Sequence, residues 1–172
     1  MNKQDANYLL ASLRQQGIVD AISETLKEAN KLYDELSGSL LVKLPVRHFN
    51  RLYSDLMGCC VAHCFSSRSW RKFDLETDVC NRGAYPRVEL RSANYRFVCS
   101  AVGSKSAKYK EESFALNKAK TTDGQRGILI EYVLGADKKI ASARAVIKTG
   151  HNGPELAAIP VFPKSEVQVL AG

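Results

Sequence analysis

At 172 residues, 45% apolar and 25% charged, the chain has the composition of an ordinary globular protein and enough length to bury a core. It contains no run of ~18 apolar residues that could span a bilayer, and "MNKQDANYLL" lacks the basic-then-apolar layout of a signal peptide. The net charge of +7 is uneven: residues 1–46 carry −1, residues 47–120 carry +7 and residues 121–172 carry +1.

An odd, clustered set of five cysteines does not resemble a disulfide framework, so reduced thiols and a cytoplasmic location are expected, without a membrane partner.

The first third reads as helix. "DANYLLASLRQQG" places Leu9, Leu10 and Leu13 on one side and offers Gly17 as a stop or kink. From Ile18, apolar residues recur in steps of three and four through Ile22, Leu26, Ala29, Tyr33 and Leu36, with Gly38 as the expected end. Such a stripe suits an intramolecular core, and a homodimer seam is its alternative, so monomer and homodimer both stay open.

Pro45 suits the first turn of a third helix. Along it, Phe49, Leu52, Tyr53, Leu56, Cys60, His63 and Cys64 are expected to share one broad face.

After residue 85 the pattern changes to period two. "YPRVELRSANYRFVCSAVG" reads as a hairpin turning at Ala93-Asn94, and "GILIEYVLGADKKIASARAVIKTG" as another turning at Gly135-Ala136-Asp137. The stretch "AIPVFPKSEVQVL" suits an edge or crossing segment, because its two prolines cannot donate to a ladder, followed by a short strand at Val167 and Val169. The lysine-rich stretch between the hairpins reads as a loop or a short helix over the sheet. The predicted fold is α+β in a single domain, 1–172, with helices over 5–66 packed on one face of a mostly antiparallel sheet of hairpins over 85–170.

Three chemistries deserve weighing in the middle of the chain. Cys60, His63 and Cys64 stand at i, i+3 and i+4, and thiolate and imidazole are zinc ligands, with Cys80 or His48 as a conceivable fourth. The paired C-x-x-C knuckles of structural zinc are missing, so core packing is preferred and neither metal nor cofactor is expected.

"SRSWRKF" interleaves Arg68, Arg71 and Lys72 with Trp70, a pattern that suits phosphate contacts beside a stacking aromatic. Arg87 and Arg91 alternate with apolar residues and should point away from the core, while Lys105, Lys108 and Lys110 add a basic segment.

Third, Asp74, Glu76 and Asp78 precede "Glu89-Leu90-Arg91". A Mg²⁺-dependent nuclease would want an acid-x-Lys there, and arginine stays protonated where lysine could exchange a proton. His151, flanked by glycines, has no sequence partner that would make it catalytic.

The leading expectation is a small basic binding protein without catalysis, contacting nucleic acid or a nucleoprotein through residues 68–110. The alternatives are a protein-interaction module that meets an acidic protein surface, such as an inhibitor of a nucleic-acid enzyme of the phage accessory type, and the Mg²⁺-dependent nuclease.

Overall fold

A computed structural model describes residues 1–40, 49–81, 86–102, 126–149 and 153–162. Among the described residues three helices, α1 (Lys3–Gln15), α2 (Ile18–Leu40) and α3 (Asn50–Ser67), precede six strands: β1 (Glu76–Asn81), β2 (Pro86–Arg91), β3 (Tyr95–Ala101), β4 (Arg126–Leu134), β5 (Ile140–Lys148) and β6 (Glu155–Phe162). The strands form one sheet in sequence order, antiparallel throughout except where β4 runs parallel to β3. The helices pack on one face, which makes the fold α+β with a mostly antiparallel sheet, as the change of period predicts.

Helix α1 begins at a capping box, in which the Asn2 side chain accepts from the Asp5 N–H at 2.8 Å and Asp5 returns the bond. Such a cap is worth about 1 kcal/mol. Gly17 separates α1 from α2 with φ +75, a backbone that glycine adopts without the Cβ clash of other residues. Gly38, expected as the end of α2, instead lies within a helix that continues to Leu40. Glycine costs helix stability without forbidding the conformation, and packing of the stripe outweighs that cost.

The α2 stripe is core. Ile22, Leu26 and Ala29 are fully buried, and Ile18 and Tyr33 nearly so, in one cluster with Phe65, Leu90, Phe97, Ile128 and Ile130. Polar groups set the docking of α2 on the sheet. The Asn30 side chain exchanges two hydrogen bonds with the backbone of Ile140, at 2.8 and 3.0 Å, and the Tyr33 hydroxyl donates to the Asp137 carbonyl at 3.1 Å. These bonds tie the middle of α2 to the β4–β5 hairpin and satisfy groups that burial would otherwise penalise.

Helix α3 buries part of the predicted face. Tyr53, Met57, Cys60, Val61, Cys64 and Phe65 are buried, whereas Leu52, His63 and Phe49 are exposed. The buried stripe runs through 53, 57, 60 and 64, so the predicted face is right at Tyr53, Cys60 and Cys64 and too broad where it takes in the flank at 49, 52 and 63. Pro45 lies outside the described residues.

Both hairpins turn where predicted, with β2 and β3 flanking Ser92–Asn94 and β4 and β5 flanking 135–139. Strand β1 has no counterpart in the sequence reading, because "ETDVCN" carries two acids in a short stretch and lacks a clean apolar alternation. Strand β6 is the sheet edge predicted from its proline, with Pro160 inside it; Val167 and Val169 lie outside the described residues. Among the described residues no helix is long and apolar enough to cross a membrane.

Candidate nucleic-acid interface

The stretch after α3 is built around Trp70. Arg68 ends the helix in an extended conformation, and a single 3-10 turn, Arg71–Phe73, leads into β1. Trp70 is only 2% exposed. Its indole N–H donates to the Phe65 carbonyl at 2.9 Å, its ring stacks on Phe65 with centroids 5.5 Å apart, and Phe73 packs against it at 6.3 Å. Trp70 is therefore a packing residue that closes the bottom of the α3 core, and it offers no free face to a base.

Arg68 is also committed internally. Its guanidinium reaches Glu24 and Glu28 of α2 and the buried Thr25 hydroxyl, and it lies 5.8 Å from the centre of the Trp70 ring. Its role is to pin the end of α3 to α2.

Arg71 and Lys72 differ. Both are exposed, and among the described residues no carboxylate pairs with either; the Lys72 ammonium sits 4.6 Å over the Phe73 ring.

On the sheet, Val88 and Leu90 face the helices, so Glu89 and Arg91 lie on the opposite face, as alternation predicts. That face is not an open array of arginines. Glu89 is 1% exposed, and one of its carboxylate oxygens accepts from Arg91 at 2.6 and 2.8 Å while Arg96 bonds both oxygens at 2.8 and 2.9 Å. Arg91 also reaches Asp78 at 3.2 Å. A second buried carboxylate, Glu131, takes Lys148 at 2.8 Å and Arg144 at 2.8 Å, and Arg144 extends to Glu155 at 3.0 Å. Burial alone would raise the Glu131 pKa; the Lys148 and Arg144 hydrogen bonds overcome it and hold the group below the usual glutamate value.

Between these clusters runs an apolar cross-strand row, Val98–Leu129–Val146, buried on the face away from the helices. Beside Glu131 and Arg144 lies a shallow cavity of about 360 Å³, with Val102, Val133, Pro160 and Phe162 among its walls.

The nuclease arrangement is partly present in geometry. Asp78 and Glu89 are directly opposed in the β1–β2 register, and Arg91 bridges them. Glu89 spends its lone pairs on two guanidinium groups, so a Mg²⁺ ion would have to displace both. Among the described residues no three metal-binding side chains converge. Cys60 and Cys64 face the core, while His63 is exposed and lies 3.4 Å from the Ser67 hydroxyl, so the three residues weighed as zinc ligands are split between two faces of α3. Burial pushes the Cys60 thiol up to about 11.

The register brings together residues that spacing alone did not connect. Glu76 pairs with Arg91, Arg91 with Arg96 and Arg96 with Gly127, so these positions form a row at one end of the sheet. Arg126 begins β4 at that end, its N–H bonded to the Asn94 carbonyl at 2.9 Å, and it is exposed without a carboxylate partner among the described residues. The 3-10 turn bearing Arg71 and Lys72 enters β1 there too. Asp74 and Glu76 share this end and offset part of its charge. Arg126 is the residue that the sequence reading misses: it lies in the C-terminal third of the chain, and only strand order brings it to the end of the sheet at which β1 begins. The Arg87 side chain, Lys105, Lys108, Lys110, His48, the Cys80 side chain and His151 lie outside the described residues.

Comparison with protein-family models, curated proteins and solved structures returned no match.

Proposed function

We propose that the protein is a non-catalytic binding protein that contacts nucleic acid through the sheet end carrying Arg71, Lys72 and Arg126. The observation that carries this reading is the division of its cations. Arg68, Arg91, Arg96, Arg144 and Lys148 are held by Glu24, Glu28, Glu89, Glu131 and their neighbours. Arg71, Lys72 and Arg126 project from one end of the sheet without such partners among the described residues. Exposed cations outside any ion pair are what a phosphate backbone recruits, because pairing with phosphate releases condensed counterions at little desolvation cost. Lys105, Lys108 and Lys110 add to the charge of the chain, and substitution measures their share.

A gel-shift titration at two salt concentrations, with and without Mg²⁺, tests the proposal. Binding should weaken steeply with salt. The variant Arg71→Ala/Lys72→Ala/Arg126→Ala should flatten the slope by about three units if each residue meets a phosphate. No shift near physiological salt overturns the reading, and cleavage that requires Mg²⁺ and Glu89 overturns its non-catalytic part.

One observation favours a protein partner as the second reading. Val102 and Val133 are each 41% exposed at the cavity beside Arg144, and an apolar concavity with charged walls suits a protein side chain. A Val133→Asp variant that loses a co-purifying protein while keeping its nucleic-acid affinity would support that reading.

A further inference from the structure

We infer that the surface formed by Arg71, Lys72 and Arg126 grips the sugar–phosphate backbone and leaves the bases unread, an inference that rests on the nucleic-acid reading above. Reading single-stranded bases requires exposed aromatic faces on which they stack, and duplex readout requires side chains free to reach base edges. The aromatic residues near this surface are occupied. Trp70 is buried with its indole N–H bonded to Phe65, and Phe73 is half-buried, lies against Trp70 and carries the Lys72 ammonium over its ring. Tyr95 is half-buried against Phe97, which is itself 1% exposed. Between residues 68 and 102, no described aromatic side chain is exposed.

The arginines best placed to read base edges are also occupied. A guanidinium reads guanine by a two-pronged bond, and Arg91 and Arg96 both direct that fork onto Glu89. The exposed cations sit instead on a three-residue 3-10 turn and on the first residue of a strand. Neither is an α-helix or a two-stranded ribbon that could enter a major groove. What this surface presents is positive charge on a short turn and a strand end, which suits phosphates spaced along a strand whatever their bases.

The test uses the full chain and fluorescence anisotropy, with a labelled single-stranded oligonucleotide and an abasic strand of the same length and charge. The two should bind within about fivefold of each other, since one stacked base alone is worth at least about that factor. Arg71→Ala/Lys72→Ala/Arg126→Ala should weaken both strands by the same factor, with its melting temperature showing that the fold is kept. A base-containing strand preferred by more than about fivefold overturns this inference while leaving the nucleic-acid reading in place. No binding to either strand near physiological salt overturns the nucleic-acid reading, and this inference with it.

Discussion

The indole of Trp70 donates to the carbonyl of Phe65, five residues earlier, and stacks on that residue's ring with an interplanar angle of 15°. The relationship folds the chain back on the end of α3, and it turns the most conspicuous binding candidate of the sequence into a structural plug. Trp70 is the sole tryptophan, so its emission reports on this contact directly. Native fluorescence should be blue-shifted and weakly quenched by acrylamide, and it should not respond to oligonucleotide by stacking. Trp70→Ala should destabilise the fold by about 3–5 kcal/mol in a denaturant titration.

The Glu131 cluster predicts an acid-sensitive stability. Its carboxyl is held below the ordinary value of 4.5, so the folded state favours the ionised form more than the unfolded chain does. The resulting stabilisation is fully present above that ordinary value and is lost as the pH falls through the lower folded one. Glu131→Gln should remove this part of the acid limb. At neutral pH it should cost about 1–3 kcal/mol, because Lys148 loses its carboxylate whereas the half-exposed Arg144 keeps Glu155. Melting curves from pH 7 down to about pH 3 measure both effects.

Leu26 tests the assignment of the α2 stripe. It is fully buried between helices and sheet, so Leu26→Ala should destabilise the protein by about 2–5 kcal/mol. Light scattering should give the same mass for both proteins, and the melting temperature of the parent should not vary with concentration. A concentration-dependent melting temperature would place a second chain against this helix.

The cysteines of α3 should differ in reactivity. Cys59 is exposed, whereas Cys60, Cys64 and Cys99 are buried and their thiols are pushed upward, mainly by desolvation. Thiolate is the reactive form, so brief alkylation at pH 8 should modify Cys59 well before the other three, as read by peptide mass spectrometry. Labelling of Cys60 at the rate of Cys59 would contradict the core position of its side chain.

Local pattern carried the architecture. The three-and-four spacing from Ile18 to Leu36 demanded a helix with one buried side, and the alternation after residue 85 demanded strands, because each periodicity follows from backbone geometry alone. Turn residues located both hairpins for the same reason, and the α+β class followed from the order of the two patterns.

Pairing between distant segments decided the rest. Trp70 and Arg68 look like binding residues in "SRSWRKF", yet the fold gives one the Phe65 carbonyl and the other Glu24 and Glu28, acceptors that linear spacing cannot identify. Arg91 was legible as pointing away from the helices on the same side as Glu89, but its reach to Asp78 and the second guanidinium that Arg96 brings to Glu89 depend on strand register. Arg126 lies 54 residues beyond Lys72 in sequence and reaches the same end of the sheet because β4 runs parallel to β3. The sequence by itself determined which segments bury an apolar side; tertiary structure decided which charges are neutralised and which remain to meet a partner, since electrostatic pairing depends on distance in space and not along the chain.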